Sequence, residues 1–123
     1  MDHEWYFENG EAPTGDRGPF MFDSGFDSMK VLVSKIELVI PHACSLKDKR
    51  SVIRGLKDRV WSKFRVSISE VDQQDVVQRA MLGLVYVSND GCLLERIMNK
   101  IVRLVEESYP GLLYHYEYFV EHY

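Results

Sequence analysis

Hydrophobic residues along this chain alternate, then recur at helical spacing, then alternate again, and the order of those changes is informative. From Lys30 to Ile40 the run KVLVSKIELVI alternates, with Leu32, Ile36, Leu38 and Ile40 on one side, as in a strand with one face buried. Pro41 ends it. Ser45, followed three residues later by Asp48, resembles a capping box with Asp in place of the usual Glu or Gln. A helix is expected from there to Trp61 or Ser62, because Ile53, Leu56 and Val60, joined by Val52 and Phe64, fall on one stripe. Alternation returns in FRVSISEV (64–71), DQQD makes a turn, and VQRAMLGLVYVS (77–88) reads as a long strand apolar on both faces. Ser88 and Asn89 are N-cap candidates for a second helix, whose stripe is Leu94, Ile97, Met98, Ile101, Leu104 and Val105. Tyr109-Pro110-Gly111 stops that helix, and LLYHYEYFVEH (112–122) is the last strand.

The order β-α-β-β-α-β, with each helix a crossover and the middle strands a hairpin, is the split βαβ arrangement. It predicts a ferredoxin-like α+β fold, a four-stranded antiparallel sheet with two helices on one face. Two separate βαβ units would need parallel pairing across a five-residue turn, which is too short.

Residues 1–28 break the pattern. They hold four of the eight glycines, two of the four prolines and no apolar period, yet also Trp5, Tyr6, Phe7, Phe20, Phe22 and Phe26. The chain therefore divides into an N-terminal extension (1–28), read as a flexible leader rather than as an arm that docks its aromatics, and one ferredoxin-like domain (29–123). The extension carries seven acids and one base, a charge of −6, so the overall −4 leaves 14 bases and 12 acids, or +2, on residues 29–123. No run approaches the roughly 20 apolar residues of a membrane span, and no secretory signal opens the chain. Cys44 and Cys92, far apart, read as free thiols in a reducing compartment, which makes the cytoplasm the expected location.

Several stretches, in order and at their spacing, carry a resemblance: ELVIP (37–41), SLKDKR (45–50), FRVSISEVD (64–72), QRAMLG (78–83) and VSND (87–90). Together they resemble the YlxP-like family, small bacterial proteins of ferredoxin-like fold without an established biochemical function. The match spans 30–121, with the second helix and last strand alike only in pattern. Arg65 stands where the family pattern tends to have Asn, and Val77 where a Trp is common. Genes of this family often neighbour translation and ribosome-maturation factors, so the resemblance implies a translational setting but no mechanism.

Candidate chemistry concentrates in the first helix. Residues 47–65 hold Lys47, Lys49, Arg50, Arg54, Lys57, Arg59, Lys63 and Arg65 against Asp48 and Asp58, a local +6. Arg50, Arg54, Lys57 and Trp61, spaced 4, 3 and 4, share one ridge. The ridge is either a solvated face whose aliphatic stems cover apolar neighbours, or a track for a phosphate backbone with an aromatic at its end to stack a base. Lys47, Lys49, Arg50, Arg54, Lys57 and Trp61 are the candidate contacts to structured RNA or a ribosomal particle. The rival mode, with aromatics on the two central strands stacking bases, fails because the first strand has none and the third only Tyr86.

Glu70, Asp72 and Asp75 form a second constellation at the hairpin, suited to water-mediated Mg²⁺ binding or acid–base work, or simply to turn hydrogen bonds and a pair with Arg79. No metal site is expected: His42 and Cys44 supply only two ligands. No catalytic residue, cofactor or small-molecule substrate is indicated; a non-enzymatic binding module is preferred, the alternatives being a protein-interaction scaffold whose basic helix docks an acidic partner and a small metal-dependent enzyme using the acidic hairpin. In the last strand Tyr114, Tyr116 and Tyr118 share a face expected to pack toward the helices. In the third, Met81, Val85 and Val87 oppose Leu82, Leu84 and Tyr86, and one set must lie on the sheet face without helices. An apolar set there implies a partner, and a homodimer through Met81, Val85 and Val87 is expected.

Overall fold

The central strand β1 (Lys30–Val39) sets the layers. Leu32, Ile36 and Leu38 on its inner side are buried, and Ser34 between them satisfies its hydroxyl by donating to the Glu117 carbonyl at 2.8 Å. The chain is described by a computed structural model over residues 29–123, so the proposed extension 1–28 lies outside the described residues. After β1 come α1 (Leu46–Phe64), β2 (Ser67–Asp72), β3 (Arg79–Ser88), α2 (Gly91–Ser108) and β4 (Leu113–His122). The sheet order is β2-β3-β1-β4, antiparallel at every step, with β2 and β4 as edges. This is the ferredoxin-like α+β fold that the pattern predicts.

Local chemistry explains the helix ends. Ser45 accepts from the Asp48 amide at 3.1 Å, and Asp48 Oδ2 accepts from the Cys44 amide at 3.0 Å. The carboxylate thus reaches one residue beyond the position a capping Glu would serve. The helix runs two residues past the expected Ser62 and stops where Arg65 turns left-handed (φ 58°), its amide donating to the Trp61 carbonyl at 2.8 Å. At α2 the cap is Asp90 rather than Ser88 or Asn89: its Oδ1 accepts from the Cys92 and Leu93 amides at 3.0 and 3.2 Å. Ser88 instead accepts from the Asp90 amide at 3.1 Å, which sets up the turn before the helix.

The core lies between the helices and the inner sheet face. Leu56 and Val60 of α1 and Leu94, Met98, Ile101 and Val105 of α2 meet Leu32, Ile36, Leu82 and Leu84 there. Gly55 leaves room for the Tyr109 hydroxyl, which a Cβ at that position would meet at 2.6 Å.

Two register shifts change what the alternation implies. One, between Glu37 and Leu38, leaves Tyr114 as the extra residue of β4. Tyr116 and Tyr118 face the helices as expected, but Tyr114 is displaced from that face and exposed, with the Arg79 guanidinium 5.7 Å from its ring. The other lies between Glu70 and Asp72 of β2.

Candidate nucleic-acid interface

Helix α1 presents two adjacent ridges of identical spacing. Lys49, Ile53, Leu56 and Val60 are its buried residues, spaced 4, 3 and 4. One position on, Arg50, Arg54, Lys57 and Trp61 repeat the same intervals, so they emerge directly beside the buried stripe. Arg50 and Arg54 are exposed, Lys57 is half-buried, and Trp61 is 52% exposed. Lys47 is exposed a turn earlier. From Arg50 to Trp61 the ridge is about 16 Å long at about 1.5 Å per residue.

Lys49 is a correction. The expected surface contact is fully buried, at 0% exposure, and its ammonium is spent inside the fold. It donates to the carbonyls of Gln73 (2.8 Å), Gln74 (3.2 Å) and Arg79 (3.2 Å), and lies 2.9 Å from Glu70 Oε2. One lysine thereby fastens the first turns of α1 to both ends of the β2–β3 turn. A buried ammonium without such partners would cost several kcal/mol. Its position on the apolar stripe was the available signal, since the spacing to Ile53 and Leu56 already placed it inward.

The hairpin carboxylates are not one cluster. Glu70 pairs with Leu82 and points to the helix face, where Lys49 neutralises it. The shifted register pairs Asp72 with Met81 on the opposite face, and its Oδ1 accepts from the Gln73 amide at 2.7 Å. Asp75 is exposed in the turn. Arg79 pairs with neither Asp72 nor Asp75; its Nη1 donates to Glu37 Oε2 at 3.1 Å. The carboxylates of Glu70 and Asp72 therefore cannot jointly hold an ion or flank a reacting atom.

A hollow of about 240 Å³ opens between α1 and the β2 edge, lined by Arg50, Ile53, Arg54, Lys57, Asp58 and Glu70. Of its two acids Glu70 is already paired, so three cations face it against Asp58. At the far end of the ridge the Arg65 guanidinium stacks 4.1 Å from the Trp61 ring. The left-handed cap explains the departure at this position: Asn tolerates that backbone well, whereas Arg adopts it at some strain and gains the stack. Arg59, on another side of the helix, lies over the Tyr109 ring at 5.4 Å.

The remaining expected residues lie elsewhere. Met81, Val85 and Val87 fall on the sheet face that carries neither helix, half-buried, 41% and 56% exposed. Their alternates Leu82 and Leu84 are buried beneath the helices. Cys44 and Cys92 are free and exposed. Among the described residues no three His, Cys, Asp or Glu side chains gather as a metal site, and no helix is long and apolar enough to cross a membrane.

A family model described as a protein of unknown function, DUF503, matches residues 31–118. The chain belongs to the DUF503 family. The "Uncharacterized protein YlxP" of Bacillus subtilis (strain 168) is 36% identical over 79 residues, which cover 64% of this chain and 85% of that protein. The YlxP-like resemblance drawn from the motifs is thus shown. Among solved structures, PA3566 from Pseudomonas aeruginosa aligns over 78% of this chain and 94% of its own, with a TM-score of 0.49 and 14% identity. The DUF503 match takes in both α1 and β2, and so the whole of the basic hollow.

Proposed function

We propose that this DUF503 protein is a non-enzymatic module that binds structured RNA, free or within a ribosomal particle, through the outer ridge of α1. The single observation that carries the reading is the ridge itself: Arg50, Arg54 and Lys57 line one open hollow, and the half-exposed Trp61 continues it under Arg65. Cations spaced along a helix neutralise successive phosphates, and an indole braced by a guanidinium offers a flat surface to an unpaired base. The charge is local: α1 holds seven bases and two acids, whereas residues 29–123 as a whole are only +2. A reducing, cytoplasmic setting suits both the reading and the two free, exposed cysteines.

The test is fluorescence anisotropy of the full chain with a labelled structured RNA across a salt series. Micromolar binding that weakens steeply with salt is expected, with loss of binding in the Arg50→Glu, Arg54→Glu, Lys57→Glu variant. Equal affinity of that variant at matched salt would overturn the proposal. A preference for an acidic peptide over RNA would assign the ridge to a protein partner instead.

A further inference from the structure

The open face of the sheet has a relief that its register makes readable. One row across the strands is Phe119, Val33, Val85 and Ser67. The next is Glu117, Lys35, Gly83 and Ser69. Phe119 stands out from the first row, 52% exposed, on edge strand β4. Gly83 in the second has no side chain, and Val71 packs onto it so closely that a Cβ there would meet Val71 Cγ1 at 2.9 Å. Around this pair lies an open hollow of about 350 Å³ lined by Val33, Lys35, Ser67, Ser69, Val71 and Val85. A projecting ring and an apolar hollow therefore share one face, about 10 Å apart across two strand spacings.

We infer that this face joins two copies of the chain, each seating Phe119 in the other's hollow, against Val71, Val33 and Val85. Three observations favour a second copy over another occupant. First, a two-fold axis lying between the faces that seats one ring seats both, because the contact is isologous. Second, three strands of ten residues, about 33 Å each, and the six-residue β2, about 20 Å, at about 4.8 Å spacing offer about 570 Å² per copy, so a pair buries about 1,100 Å², near the lower bound of stable interfaces. Third, the face selects no single-sign partner: Lys35 lies opposite Glu117, and Arg79 is bonded to Glu37. The exposed Val87 and Val85 extend the same apolar end and supply the dry surround that an anchored ring needs. This inference is independent of the RNA reading, since α1 lies on the other side of the sheet.

The test is the mass of the full chain in solution over a concentration series, by light scattering or sedimentation. The parent is expected to be a dimer at micromolar concentration. Phe119→Glu should weaken association at least 100-fold while lowering the thermal stability of the monomer only slightly, because the ring is already half-exposed in the single chain. Ser69→Phe fills the hollow from an exposed position and should have the same effect. Mixing the two variants should restore a heterodimer with one intact insertion. The Arg50→Glu, Arg54→Glu, Lys57→Glu variant should dimerise like the parent. A monomeric parent, or two variants that dimerise as tightly as the parent, would overturn the inference. A monomeric parent that Phe119→Glu destabilises as strongly as a core substitution would also overturn it, assigning the cover to a segment of the same chain.

Discussion

The two helices hold equivalent places in the fold, each bridging two strands on the same face of the sheet, yet they divide their residues differently. Helix α2 buries six apolar side chains, Leu94, Ile97, Met98, Ile101, Val102 and Val105, while α1 buries only Ile53, Leu56 and Val60 with Lys49. Outside, α2 is balanced, with Glu95, Glu106 and Glu107 against Arg96, Lys100 and Arg103. On α1 seven bases meet two acids. Packing on the sheet dictates neither pattern of exposed charge, because exposed charges add little to stability. The difference puts the greater part of the helical core on α2 and leaves α1 the unbalanced basic surface on which the proposed binding rests.

The comparison breaks most visibly under charge reversal. Arg50→Glu, Arg54→Glu, Lys57→Glu on α1 and Arg96→Glu, Lys100→Glu, Arg103→Glu on α2 change the net charge equally. The first should reduce RNA affinity at least 100-fold at 0.1 M salt and the second less than about threefold, because only close phosphate contacts survive screening. Anisotropy on both, at matched ionic strength, checks this. Next in size is Lys49→Met, which strands Glu70 and three carbonyls and should cost about 3 kcal/mol by denaturant unfolding. Lys100→Met on the exposed face of α2 should stay within about 0.5 kcal/mol.

The fold was legible because it rests on local periods: the alternation of Leu32, Ile36 and Leu38 and the stripe of α2 both survive in the structure. What was hidden depends on partners far along the chain. The acceptors of Lys49 lie 24 to 30 residues away, so its residue type argued for the surface while its spacing argued for the core. The shifts that expose Tyr114 and part Glu70 from Asp72 arise in strand pairing, which no single strand displays. Strand β3, apolar on both sides, could not reveal its inner face until β1 and the helices did. Within the site, Arg50, Arg54, Lys57 and Trp61 were readable as a ridge, whereas the hollow beside β2 was not, since β2 is brought there only by the crossover.

Smaller effects sharpen the picture of the α1 terminus. Trp61→Ala should weaken RNA binding by about 1–2 kcal/mol, the worth of one stacked base, with little change in stability because the indole is half-exposed. Arg65→Asn relieves the left-handed strain and should raise stability by about 0.5 kcal/mol, while removing the guanidinium stacked on Trp61. The smallest concerns the far edge of the sheet. The hydrogen bond that Tyr123 donates to Glu121 at 2.8 Å, then burial, then the charge of Glu121 hold the phenol above the usual tyrosine range. A raised pKa stabilises the fold fully below the ordinary tyrosine value of about 10 and loses that contribution as pH climbs through the folded value. In an ultraviolet titration, Glu121→Gln should shift the ionisation of Tyr123 downward.

The most direct measurement of the central claim is the slope of log affinity against log salt for RNA binding, compared between Arg50→Ala, Arg54→Ala on α1 and Arg96→Ala, Arg103→Ala on α2. If the α1 ridge engages phosphates, the first pair lowers the slope by about 2 and the second leaves it unchanged. Equal slopes in the two would contradict the account, because α1 would then carry no more of the interaction than any other solvated face.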